Sequence, residues 1–246
     1  MLAATSGILY ARASLAPLAR QIRLHRGVVD YLRTYVSFRE IFVPHFSGAR
    51  PFWRRPPIPG EKQKSNSGAL GRLIAKEAGA VLSSHPSHCF AGVGTTVTSV
   101  LNSHTADKPC FFPVHRLAEQ TDFSMLLIGC VDQSPGFSTV HVAQNILGLS
   151  QRHLIRYLLR WDVETDGIVR PRVAPEAPGC SESFDRFYPL YRAQENLVAG
   201  SWDGVSWLFV PSAKRALSVE LETLASNPRF VKCKRLVCPT CTFRLY

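Results

Sequence analysis

The chain has 246 residues, 46% of them apolar and 19% charged, a composition that buries a core and does not stay disordered. No apolar run approaches the ~20 residues that would span a bilayer, so no membrane partner is expected. The net charge of +11 is concentrated in residues 1–60, where nine arginines stand against Asp30 and Glu40; such a surface attracts polyanions, but no recognition helix, RNA-binding signature or aromatic-basic repeat points to nucleic acid.

Met1 to Gly27 is rich in Arg, Ala, Leu and Ser without an acidic residue, which is also how a mitochondrial presequence reads. The preferred reading is a βαβ unit. Gly7–Ala11 is a short buried strand, Ala13-Ser14-Leu15 a turn, Val28–Val36 a helix and Glu40–Pro44 a second strand. Pro51 to Ser67 is a proline-rich and then polar loop. Ser67 is the candidate N-cap of a helix through Ala78, and Ala80–Ser83 is a short strand. Phe123–Val131 is the clearest strand, apolar throughout as a strand covered on both faces should be. A loop at residues 132–139 leads into a helix over Val140–Leu147, whose start carries His141. In α/β sheets, ligands sit beyond the carboxyl ends of strands and at the helices that follow them. From Ser150 the pattern changes to a hairpin (Leu154–Val163, Gly167–Pro171), a helix over Phe184–Ala193, short strands at Leu197–Gly200 and Ser206–Val210, and an amphipathic helix over Ala213–Asn227.

Between these elements lies Ser83-Ser84-His85-Pro86-Ser87-His88-Cys89-Phe90-Ala91-Gly92-Val93-Gly94. Two imidazoles three residues apart, beside a thiol and small residues, suit proton transfer next to a ligand that approaches the backbone. The same pattern also suits a loop with two hydrogen-bonded structural histidines. Cys89 beside His88 is a nucleophile arrangement by residue type. Adjacent side chains in regular structure point apart, however, and a small packing residue is the preferred reading.

The segment His85–Gly94 resembles the H-P-[TS]-H-S-[VF]-A-A-x-G motif of the aminoglycoside N3-acetyltransferases, with Cys89 for serine and Gly92 for alanine. Further motifs follow the family's order. Ser67–Gly71 is similar to the helix leading into that motif, Met125–Cys130 to its apolar strand, and Ser138–Gln144 to N-T-x-L-H-x-A-E. Gly179–Phe184 is similar to G-C-S-x-x-F. Ala13-Ser14-Leu15 and Ile41–Ser47 are similar to more degraded counterparts. The resemblance implies an α/β fold with a mixed central sheet and flanking helices, one domain over residues 1–246 with an antiparallel C-terminal extension.

The resemblance also implies acetyl transfer from acetyl-coenzyme A to an amine, with the 3-amino group of an aminoglycoside as a candidate acceptor, in a cytoplasmic enzyme whose oligomeric state is left open. His141 would be the general base, with His88 and His85 shaping the pocket. Thr139 would support the oxyanion or the acceptor, and Gln144 would orient the base. Ser14, Ser67, Gly68, Ala69 and His85 would lie along coenzyme A. Two departures bear on activity: Gln144 replaces the family's glutamate, and Arg12 replaces a histidine. A glutamine orients an imidazole but stabilises an imidazolium less well than a carboxylate does. The alternative is a member that binds coenzyme A or a partner without turnover.

Of the seven cysteines, Cys89, Cys110, Cys130 and Cys180 are scattered, which argues for a reducing compartment and against a disulfide scaffold. Cys233, Cys238 and Cys241 cluster in the tail, and Cys180 is a candidate fourth ligand for a tetrahedral zinc. Free thiols are the competing reading. A zinc-stabilised nucleic-acid binder rests on charge and this tail alone.

Overall fold

The computed structural model describes residues 5–25, 27–55, 65–120, 122–202, 204–235 and 237–245. The first part is the expected βαβ unit: β1 (Thr5–Ala13), α1 (Ala19–Arg23), α2 (Val28–Tyr35) and β2 (Ser37–Pro44), with β1 and β2 parallel. A two-residue strand, β3 (Arg50–Pro51), lies at the head of the expected loop, and residues 56–64 of that loop fall outside the described ones. Then come α3 (Ala69–Ile74), β4 (Val81–Leu82), β5 (Phe90–Val93), α4 (Thr95–Asn102), α5 (Phe112–Ala118), β6 (Phe123–Ile128) and α6 (Thr139–Ile146). The C-terminal part holds β7 (Leu159–Thr165), β8 (Ile168–Val173), α7 (Tyr188–Ala193), β9 (Val198–Trp202), β10 (Val205–Val210), α8 (Ala213–Ser226) and α9 (Pro239–Thr242).

Seven strands form a mixed sheet in the order β4-β5-β2-β1-β6-β10-β9, and β3-β7-β8 form a small second sheet. β1 pairs in parallel with both β2 and β6; the other pairs are antiparallel. This is the α/β architecture with a mixed central sheet that the sequence implied. The alternation along β1 explains the layering. Ile8 and Tyr10 face one core and Leu9 and Ala11 the other, since successive strand residues point to opposite faces. In β6, Phe123, Met125 and Leu127 join the first core and Leu126 and Ile128 the second. Every residue of β6 is therefore buried, and its sequence shows no alternation. One face is covered by α2 and α3 through Tyr31, Leu32, Leu70 and Ile74, and the other by α4, α5, α6 and α8 through Val97, Val114, Val140 and Leu217. Each such side chain contributes about 1.5–3 kcal/mol by leaving water.

Two local expectations are corrected. Ser67 does not cap α3: Gly68, at φ 95°, precedes the helix, and no side chain caps it. The helix also stops at Ile74, because Lys76 and Glu77 bond three residues back and the chain then turns at Gly79, φ 74°. Helix α4 escapes sequence reading because Thr95-Thr96-Val97-Thr98 are poor helix formers. Its start is held from β2, where the Glu40 carboxylate accepts from Thr96 Oγ1 at 2.8 Å and Val97 N at 2.9 Å. Gly92 is required in β5, since a Cβ there would press on Phe42 Cβ at 2.9 Å and Ile41 O at 3.0 Å.

Candidate active site

The three parallel strands β2, β1 and β6 end at one cleft. Pro44, Arg12 with Ala13, and Cys130 line it, and Ser138 and His141 enter from the start of α6. Its volume is about 610 Å³, the size of a small-molecule site. Placement at the carboxyl ends of parallel strands is where α/β sheets bind ligands.

His141 lies in the first turn of α6. Its ring stacks on Phe111 at 4.6 Å and meets the edge of Phe184 at 4.8 Å. Nδ1 lies 3.2 Å from Gln144 Oε1, an oxygen that can only accept. Nδ1 therefore carries the proton, and Nε2 is the nitrogen left for a substrate. Burial lowers the pKa of His141 to about 3, with the Gln144 bond opposing and the charges of His88, Arg244 and Arg12 reinforcing the shift. The ring is neutral at pH 7.

His88 lines the same cleft, packed on Phe46 at 4.7 Å and on Phe111 at 5.3 Å. Its Nδ1 shares a 2.9 Å hydrogen bond with Ser87 Oγ, and burial followed by the nearby His104 lowers its pKa to about 3. His85 does not share this cleft. Its Nδ1 accepts from Ser87 N at 3.2 Å and His88 N at 3.0 Å, closing the turn that aims His88. Its ring stacks on His104 at 4.6 Å and on the edge of Trp161 at 4.4 Å. It faces a second cleft of about 1090 Å³, together with Cys89, Arg72 and Lys76. Cys89 donates its S–H to Ser83 O at 2.9 Å, and burial pushes the thiol up to about 11, which leaves almost no thiolate.

The remaining candidates separate. Thr139 is fully buried and does not line the cleft, since its hydroxyl donates to Glu220 Oε1 at 2.6 Å. Gln144 is buried behind His141. Ser67 lines the cleft, but its hydroxyl is engaged: it donates to Pro44 O at 3.0 Å and accepts from Phe46 N at 2.9 Å. Gly68 and Ala69 sit beside that wall and are not part of it, and Ser14, next after Ala13, does not line the cleft either.

Sequence reading missed Phe111, which touches both site histidines, and Ser138, whose Oγ meets Tyr10 OH at 2.7 Å. It also missed Glu220, which is fully buried on α8 and accepts from Thr139 and Tyr191. Burial pushes the Glu220 carboxyl up to about 8. The amphipathic spacing of α8 gave one signal, a carboxylate on an otherwise apolar face. Arg12, noted only as a departure, proves to be the arginine of the cleft; its guanidinium donates to Gly136 O at 3.0 Å and to Ser134. The sulfurs of Cys180, Cys233, Cys238 and Cys241 lie within 4.8 Å of one another.

A family profile described as aminoglycoside 3-N-acetyltransferase matches residues 44–215, well over half of the chain. The chain belongs to the aminoglycoside 3-N-acetyltransferase family. Among solved structures it resembles aminoglycoside acetyltransferase AAC(3)-IVa as the apoenzyme, at a TM-score of 0.72 and 16% identity, covering 98% of this chain and 91% of that one. A mutant of that enzyme in complex with a gentamicin matches at 0.72 and 18%, covering 94% and 87%. AAC-IIIb in a binary complex with CoASH matches at 0.65 and 16%, covering 94% of each chain. At such identities the likeness carries the fold. No curated protein matches by sequence. Relative to the aminoglycoside 3-N-acetyltransferase pattern, the changed positions are now located. Gln144 stands directly behind His141, Arg12 lines the cleft wall, and Gly92 gives way to Phe42 and Val97.

Proposed function

We infer that the chain transfers an acetyl group from acetyl-coenzyme A to an amine held in the cleft at the ends of β1, β2 and β6. The observation that carries this is the pairing of His141 Nδ1 with Gln144 Oε1, which leaves Nε2 as a proton acceptor in a cleft lined by His88 and Arg12. An ammonium has no lone pair, so the acceptor must lose a proton before its nitrogen can attack the thioester carbonyl. The acceptor therefore enters as the free amine, its first proton left to solvent, and Nε2 takes the second proton from the attacking nitrogen as the C–N bond forms. The C–S bond then breaks, and the proton passes to the departing thiolate. Coenzyme A would run along the wall formed by Asn66, Ser67, Leu70 and Gly71.

Two features narrow the acceptor. Among the described lining residues the charged side chains are Arg12 and Glu176, and both Glu176 oxygens are engaged, by Cys110 N, Asn145 and Ser150. That cleft does not attract a polycation. A base with a pKa of about 3 also takes a proton poorly from a strongly basic ammonium. The acceptor that fits is an amine of low charge and low basicity, such as an arylamine, more than an aminoglycoside.

The test is release of coenzyme A from acetyl-coenzyme A with an arylamine, a simple alkylamine and an aminoglycoside. Wild type should turn over the arylamine best, and His141→Ala should lower that rate by ~10²–10⁴. Unchanged turnover in His141→Ala removes the assigned base. The second reading, coenzyme A binding without turnover, is favoured by Gln144 and Arg12. Tight coenzyme A binding with no acetylated product from any amine would establish it.

A further inference from the structure

We propose that Cys180, Cys233, Cys238 and Cys241 hold one structural zinc ion that clamps the C-terminal tail to the wall of the cleft. The four sulfurs come from two distant segments and lie within 4.8 Å of one another. Four sulfurs on a tetrahedral zinc at ~2.3 Å stand roughly 3.8 Å apart, so this cluster closes around the ion with small side-chain adjustments. All four cysteines are free thiols. Three are buried and Cys180 is half-buried, and together they form a small core of their own. Cysteines also pack as small apolar residues, but four sulfurs converging on one point match the geometry of a tetrahedral metal.

The backbone is arranged as a sulfur site needs. Cys238-Pro239-Thr240-Cys241 folds as a tight turn, with Cys241 N donating to Cys238 O at 3.0 Å and Thr242 N at 2.8 Å. Charge is matched as well. A zinc tetrathiolate is a net dianion, and Lys232, Lys234 and Arg235 surround Cys233 in sequence. Arg235 is anchored to the Cys180 side through Glu182 at 2.7 Å.

The place of the cluster gives the ion its consequence. Gly179 and Ser181, on either side of Cys180, line the cleft, and so does Thr240, between Cys238 and Cys241. One zinc fixes both strands of this wall at once.

The test uses the full chain, purified under reducing conditions from zinc-replete medium without chelators. Elemental analysis should find one zinc per chain, and stripping the metal should add four thiols to those that react with a thiol reagent. Cobalt(II) replacement should give the visible absorption of a tetrahedral tetrathiolate with sulfur-to-metal charge transfer. Stripping the metal should speed amide exchange in residues 177–183 and 233–245 and leave β6 unchanged. Cys180→Ser should alter the cobalt spectrum, and Cys89→Ser should not. Protein recovered without metal, with these four thiols reactive or joined as disulfides, overturns the site. A zinc whose removal leaves exchange at 177–183 unchanged overturns the clamp.

Discussion

His141 Nδ1 and Gln144 Oε1 stand 3.2 Å apart on one face of α6, one turn from each other. This contact sets which nitrogen of the proposed base is free and limits how basic it is. A carboxylate at residue 144 would hold the ring the same way and also neutralise the imidazolium. Gln144→Glu should therefore raise the His141 pKa from about 3 and increase acetyl transfer at pH 7 by roughly tenfold or more. The Gln144 Nε2 is buried without a hydrogen-bond partner, so the exchange breaks no bond. A proton-NMR titration of His141 beside the pH–rate profile checks both halves, and an unmoved pKa with unchanged rate refutes the link.

Phe111 stacks between the two site histidines and keeps water from both rings. Phe111→Leu should move both imidazole pKa values upward from about 3 and cost about 1–3 kcal/mol of stability through lost ring contacts. Titration shifts and chemical denaturation measure the two effects separately.

Glu220 is a buried acid held protonated, with a carboxyl pKa of about 8. Its folded pKa lies above the unfolded one of about 4.3, so its contribution is full at low pH and is lost as pH rises through 8. The buried histidines act in the opposite sense. His85, His88, His104 and His141 have lowered pKa values, so the unfolded chain binds more protons and stability falls as pH drops below about 6.5. Stability should therefore peak near pH 6–7. Glu220→Gln should remove the decline between about pH 7 and 8 and steepen the rise of the acid limb, as read from urea midpoints across pH 4–9.

Gly136 adopts φ 77°, and a Cβ there would collide with Phe184, the ring that meets His141 edge-on. Gly136→Ala should cost about 2–4 kcal/mol and displace that ring. A lowered thermal midpoint with a weakened rate checks it; wild-type stability would show that the loop relaxes freely.

Much of the fold was legible because β1, β6, α6 and α8 carry their own signals. β6 is a six-residue run with both faces buried, and α8 has helical spacing and a Ser212 cap that accepts from Arg215 N. β5 and α4 were not, because Gly92 and the Thr-rich start of α4 act only through partners distant in sequence, Phe42 and Glu40. The site divided in the same way. His141 and His88 were legible as residue types in motifs. That Thr139 turns to Glu220, and that His85 closes a turn, depended on three-dimensional neighbours. The N-terminal arginines likewise lose their meaning as one patch. Arg39 pairs with Asp122 at 2.6 Å, and Arg12 points into the cleft.

β1 stands in the middle of the main sheet, yet its partner β6 begins at Phe123, and the cleft wall reaches on to Thr240. During synthesis the central strand must wait more than a hundred residues for its second neighbour (Ile8 pairs with Phe123), which makes folding slow and dominated by distant contacts. One side of the binding surface closes only after Thr240 has left the ribosome. A chain cut short before residue 240 would still contain all seven strands of the main sheet and would lack the Thr240 side of the cleft.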